Sequence, residues 1–71
     1  MGLEKTVRIL LLERRMTMTD LANKFGTSVQ NMSAKFRKNN FTEKELNEIA
    51  KACNATFEGA FILNDTGKII K

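Results

Sequence analysis

The sequence predicts a mainly α-helical fold: a small bundle of four helices followed by a C-terminal β-hairpin. Apolar residues recur at helical spacing in four segments before residue 55, and helix-entry signals precede several of these segments. From Thr56 onward, β-forming residues and a strong turn signal replace the helical pattern. At 71 residues the chain is expected to form one domain, with residues 1–55 as its helical part and residues 56–71 as the hairpin tail.

The first helix is expected from about Leu3 to Arg14. Its main apolar residues recur at i, i+4, i+7 and i+8 and so form one stripe: Leu3, Val7, Leu10 and Leu11. Ile9 and Leu12 lie off that stripe. We therefore expect this helix to be covered on more than one side, by the C-terminal segment.

The second helix has an entry signal and a stop. Thr17 can accept the backbone N–H of Asp20, whose carboxylate also suits the positive end of a helix. Met16 and Leu21 are spaced as a hydrophobic staple. Gly26 ends the helix, because the left-handed conformation costs little only for glycine.

The third helix is capped by Ser28 or Thr27 and runs to about Lys38. Met32 and Phe36 share one face, and the opposite side is mostly polar. With so few apolar contacts, we expect that polar side to be exposed.

The fourth helix begins with the clearest capping box in the chain, Thr42 paired with Glu45. Its apolar residues recur at i, i+3, i+4 and i+7 and predict a core-facing helix: Leu46, Ile49, Ala50 and Cys53. Asn54 is expected to stop it in the left-handed conformation.

The tail is expected to form two strands, residues 56–63 and residues 68–71, joined by the turn at residues 64–67. Gly59 within the first strand indicates a bulge. Because a two-stranded ribbon is marginal alone, it should pack on the helices or pair with another chain.

The net charge of +4 is unevenly distributed. Residues 1–41 carry eight basic and three acidic side chains, whereas residues 42–71 carry four basic and five acidic ones. A surface that binds a polyanion would produce this asymmetry, and so would a basic surface that is merely solvated.

Catalysis is not expected. The chain has no His, Tyr or Trp, so the usual acid–base group near neutral pH, the imidazole of His, is absent. Cys53 has no His partner, and no glycine-rich phosphate loop or metal-ligand cluster is visible, so we expect no cofactor and no metal.

A cytoplasmic, soluble protein is expected. A single cysteine cannot form an internal disulfide, which fits a reducing compartment. The longest apolar run, residues 9–12, is too short to cross a bilayer, and the N-terminus does not resemble a signal peptide.

Residues 17–36 combine a short helix, a turn broken by glycine and a second helix with a polar outer face. This is the helix-turn-helix pattern, which places its second helix in the major groove of DNA.

The segment from Met16 to Asn54 also resembles the Cro/repressor-type helix-turn-helix proteins, the XRE family of small transcriptional regulators. The matching elements are Leu21-Ala22, Phe25-Gly26-Thr27-Ser28, Met32-Ser33 and the pattern Leu46, Ile49-Ala50, Ala52. The β-rich tail is similar to that of the Cro-type subset, in which C-terminal strands can join two subunits. The resemblance implies a homodimer that binds double-stranded DNA, and we expect a repressor that occupies an operator.

The resemblance also implies functional residues. Positions that would read base edges are Val29, Gln30, Asn31, Ser33 and Ala34. Positions that would bind phosphate are Thr19, Ser28, Arg37, Lys38 and Asn40. Gln30 is the best single candidate, since its amide can form a bidentate pair with adenine. The family often has glutamine at the start of the second helix, where this chain has Met18 and Thr19.

Two other interpretations stay open at this point. The polar groups of the third helix could be merely solvated. The chain could also be an antitoxin or anti-repressor type of protein-interaction module that keeps the helix-turn-helix as a scaffold.

Overall fold

A computed structural model of the chain describes residues 3–39 and 41–70 and confirms the predicted fold class. Four helices precede a small antiparallel sheet: α1 (Glu4–Glu13), α2 (Met18–Phe25), α3 (Val29–Lys38), α4 (Glu43–Ala52), β1 (Ala55–Phe57), β2 (Phe61–Leu63) and β3 (Ile69–Ile70). The strand order is β1-β2-β3.

The predicted helix caps are confirmed. The Thr17 hydroxyl accepts the Asp20 N–H at 3.1 Å, and the Asp20 carboxylate accepts the Thr17 N–H at 2.9 Å. Thr42 and Glu45 make the same reciprocal pair at the start of α4, with both distances again near 3 Å. These local hydrogen bonds satisfy backbone donors that a helix start otherwise leaves without partners.

The tail contains one more strand than the sequence predicted. Residues 56–63, expected as a single strand, divide into β1 and β2, which pair in the register Ala55↔Leu63 and Phe57↔Phe61. Gly59 has a φ of +74° in the turn between them, so it reverses the chain and does not form a bulge. The reversal places the Phe57 and Phe61 rings 5.0 Å apart.

One core is shared by the helices and the sheet. Its largest fully buried side chains come from every helix and from β2: Val7, Leu10, Leu21, Met32, Phe36, Ile49 and Phe61. Cys53 is part of this core, as predicted, and its burial raises the pKa of its thiol. Within the described residues, no helix has the length and apolarity needed to cross a bilayer.

The prediction that the C-terminal segment covers Ile9 and Leu12 is wrong. Ile9 is 41% exposed and Leu12 is 76% exposed. Strand β3 does lie beside α1, where Lys68 Nζ is 2.8 Å from Glu13 Oε1. However, β3 buries Ile70 and turns Ile69 outward, because neighbouring side chains of a strand point to opposite faces.

Arg14 joins three parts of the fold that are distant in sequence, and we call this set of contacts the Arg14 clasp. Its guanidinium donates to the carbonyl oxygens of Cys53, at 2.8 Å, and Asn54, at 2.9 Å. It also donates twice to the Asp65 carboxylate, at 3.0 Å and 2.7 Å. The end of α1 is thereby tied to the end of α4 and to the β2–β3 turn. The hydrogen bonds from Arg14 to the Asp65 carboxylate lower the pKa of Asp65 from its usual 3.8 to about 2.

The clasp predicts a pH-dependent contribution to stability. Because the folded state lowers the pKa of Asp65, its contribution is complete above about pH 4 and is lost as the pH falls toward 2. Asp65→Asn should therefore lower the denaturation midpoint at pH 7, and the gap to the natural chain should close toward pH 2. Urea unfolding across this range measures it, with Glu58→Gln as an exposed control. A gap that stays constant from pH 7 to pH 2 would contradict the clasp.

Candidate nucleic-acid interface

The connection between α2 and α3 is short and closed by hydrogen bonds. Gly26 has a φ of +67°, and the N–H of Thr27 returns to the carbonyl oxygen of Ala22 at 3.0 Å. Ser28, and not Thr27, then caps α3, because its Oγ accepts the N–H of Asn31 at 3.1 Å. The three residues 26–28 thus turn the chain sharply from one helix into the next.

Helix α3 is attached to the body by one narrow apolar stripe. Met32 and Phe36, four residues apart, are each only 1% exposed. They pack in the same core as Leu21 and Ala22 of α2. The attachment leaves the opposite side of α3 turned away from the core.

Lys35 belongs to the body of the protein. Its ammonium group pairs with the carboxylate of Glu45 on α4. This hydrogen bond, together with the backbone N–H of Thr42, lowers the pKa of Glu45. This ion pair joins one side of α3 to α4.

The predicted base-reading residues all lie on α3, with different exposure. Gln30 and Asn31 are exposed, Ser33 and Ala34 are half-buried, and Val29 packs partly against the core. The Asn31 amide donates to Thr27 Oγ1 at 3.3 Å, so part of its hydrogen-bonding capacity serves the turn. Gln30 forms no such local bond among the described residues, and the residue is exposed.

The predicted phosphate-binding residues lie at the ends of the two motif helices. Arg37 and Lys38 are exposed in the last turn of α3, and Thr19 is exposed in the first turn of α2. Ser28 is exposed, although its oxygen already accepts a backbone hydrogen bond as the cap. Asn40 lies outside the described residues. Helix α3 itself contains no acidic side chain that would repel a phosphate.

Residues 6–65 match the model of the Cro/C1-type HTH DNA-binding domain. The chain belongs to the Cro/C1-type helix-turn-helix family. It is therefore a DNA-binding domain of the kind found in transcription regulators, and the predicted resemblance is confirmed. Searches of the curated proteins and of the solved structures found no significant match.

This Cro/C1-type domain has contacts at the end of α3 that the sequence did not reveal. The Arg8 guanidinium on α1 lies 5.1 Å from the centre of the Phe36 ring. The Asn39 side chain accepts the backbone N–H of Glu4 at 2.9 Å. Both contacts join residues far apart in the chain, where periodicity and capping rules carry no signal. Only the left-handed tendency of asparagine at Asn39 could have been anticipated.

No candidate metal site is found in residues 3–39 and 41–70. Nowhere in these residues do three or more Asp, Glu, Cys or His side chains come together so that they could hold a metal ion.

Proposed function

We propose that this protein binds double-stranded DNA at specific sequences and acts in the cytoplasm as a transcriptional repressor by occupying its operator. The observation that supports this most is the orientation of α3. Two side chains, Met32 and Phe36, anchor the helix, and its polar, acid-free side faces solvent. A helix held in this way fits the width of the major groove.

Base reading is proposed for the outward residues of α3. Gln30 has an exposed amide, which can donate to and accept from adenine at once. Val29 and Ala34 can offer only methyl contacts to thymine, while Asn31 and Ser33 can hydrogen-bond at the flanks. Because Gln30 is the only long polar side chain of the set, it should carry most of the discrimination.

Phosphate binding is proposed for residues that flank this helix. Arg37 and Lys38 supply positive charge in the last turn of α3. Ser28 lies at the start of α3, where backbone N–H groups and the helix dipole favour an anion. Thr19 is exposed in the first turn of α2 and can donate its hydroxyl to a phosphate, although the Asp20 carboxylate already occupies that helix start. Asn40 remains in this set on the ground of the sequence alone.

A homodimer is proposed because operators of this type are read as inverted repeats, with two recognition helices about 34 Å apart. The exposed large apolar side chains of the described residues are Ile9, Leu12 and Ile69. They belong to two neighbouring elements, α1 and the edge strand β3, which the Glu13–Lys68 pair joins. We infer that this seam supplies the contact between subunits.

Removal of the proposed reading group should reduce specific binding. Gln30→Ala is expected to cost about 1–3 kcal/mol in binding to the preferred site and to relax base preference at one position of each half-site. Asn47→Ala, which removes an exposed amide on α4, is the matched control. Selection of sites from a random duplex library, followed by titration, measures both effects. Unchanged affinity and preference in Gln30→Ala would show that α3 is not the reading helix.

Removal of a side chain that is proposed to bind phosphate should weaken binding to all DNA sequences equally. Arg37→Ala is expected to weaken binding to specific and random duplexes equally and to reduce the slope of log affinity against log salt by about 1. Lys51→Ala removes an exposed cation from α4 and serves as the control. If the natural chain shows no salt-sensitive binding even at low ionic strength, the protein-interaction module becomes the better interpretation.

The proposed subunit contact predicts that the average molecular mass in solution increases with protein concentration. The double variant Leu12→Gln/Ile69→Gln is expected to raise the dimer dissociation constant at least about tenfold, since each buried aliphatic side chain contributes about 1.5–3 kcal/mol. Sedimentation equilibrium measures it, and Thr56→Gln, an exposed change on β1, is the control. A natural chain that stays monomeric both alone and on its operator would contradict the dimer.

A further inference from the structure

Asn39 closes α3 and also reaches a second helix. It follows the last residue of α3 with a φ of +52°, and its N–H donates to the carbonyl oxygens of Lys35, at 3.0 Å, and Phe36, at 3.1 Å. Its side-chain Oδ1 accepts the N–H of Glu4, the first residue of α1, at 2.9 Å. One residue therefore serves the end of α3 and the start of α1.

Helix α1 has no side-chain cap of its own. Leu3, at its N-cap position, offers no acceptor, and no local side-chain cap bond forms there. The side-chain oxygen of Asn39, 35 positions after Glu4, accepts the Glu4 N–H in the absence of such a cap. The start of α1 is thus anchored on the end of α3.

A second contact lies beside the first. Arg8 donates to the Glu4 carboxylate at 2.8 Å, and its guanidinium lies over the Phe36 ring, 5.1 Å from the ring centre. A guanidinium in this position is attracted by the negative face of the ring. We call the four residues Glu4, Arg8, Phe36 and Asn39 the α1–α3 brace.

The α1–α3 brace supplies directional contacts, which the apolar stripe of α3 lacks. Met32 and Phe36 form a single line along the helix, with Val29 packing partly against the core, and the burial that holds this line is non-directional. Hydrogen bonds at the helix end are directional. The brace acts on one side of the last turn, and the Lys35–Glu45 pair acts on another.

We propose that Asn39 is a positioning residue for DNA reading: through the α1–α3 brace it sets the orientation of α3 and so determines sequence selectivity. The inference rests on the proposed function. A bidentate contact from Gln30 to a base edge needs the helix in one orientation. Phosphate contacts from flexible Arg and Lys side chains tolerate a change of tilt. Loss of the Asn39 side chain should therefore reduce specific binding more than non-specific binding.

The test compares two left-handed asparagines. Asn39→Gly keeps the left-handed backbone and removes only the side chain, and Asn54→Gly makes the same change after α4. A duplex selected by the natural chain and a scrambled duplex are titrated well below the melting temperature. Asn39→Gly is expected to lower the ratio of the two affinities about tenfold, and Asn54→Gly should leave the ratio unchanged.

A conservative variant separates positioning from charge. Asn39→Asp keeps a side-chain acceptor and tolerates the left-handed conformation. Its negative charge should weaken binding to both duplexes equally, so the affinity ratio should stay near that of the natural chain. A ratio that falls as far in Asn39→Asp as in Asn39→Gly would overturn the role of the Glu4 hydrogen bond.

A variant on α1 keeps the test decisive if Asn39→Gly does not fold. Arg8→Met retains the aliphatic stem and removes the contacts to Phe36 and Glu4, so it should also lower the ratio. If Asn39→Gly folds and leaves the ratio of the two affinities unchanged, the inference is overturned, but the proposed function is not. The same conclusion follows from an unchanged ratio in Arg8→Met if Asn39→Gly does not fold. A natural chain that does not distinguish the two duplexes would overturn the proposed function, and this inference with it.

Discussion

The attachment of α3 through Met32 and Phe36 is the constraint on which the rest of the structure depends. Each buried side chain contributes about 1.5–3 kcal/mol relative to exposure, enough to hold the helix but along one stripe only. Helix α2 ends at Phe25, before Gly26, and α3 starts at Val29, after its cap Ser28, so the stripe meets the core while Gln30, Arg37 and Lys38 stay exposed.

Ion pairs within the fold reduce the number of basic side chains in residues 1–41 that could bind a polyanion. Of the eight basic side chains in residues 1–41, three are engaged inside the molecule: Arg8 with Glu4, Arg14 with Asp65, and Lys35 with Glu45. A count of charges along the chain therefore overstates the positive charge that could attract a polyanion. Arg37 and Lys38 remain exposed at the end of α3, beside the proposed reading surface. The position of a basic residue, more than the total charge, determines whether it can serve binding.

Local features of the fold were predictable from the sequence. The Thr17 and Thr42 caps and the stop at Gly26 depend on residues at most a few positions apart, and all three are observed. Long-range features were not predictable in the same way. The exposure of Leu12 and the hydrogen bond that the Glu4 N–H donates to Asn39 depend on how distant segments meet. The turn at Gly59 is local, and the sequence marked its position but not its type. For the site, the motif located α3 and its outward side, but the pairing of Lys35 with Glu45 depends on how α3 packs beside α4 and has no signal in the sequence.

The proposed role of α3 is tested most directly by mapping the contact surface in solution. Backbone amide signals of the isotope-labelled protein can be followed by NMR while a selected duplex is added. The account predicts that the largest shifts fall on residues 28–39 and on the first turn of α2, with little change in α4 and in β1. Large shifts confined to α4 and the sheet, with the signal of Gln30 unmoved, would contradict it.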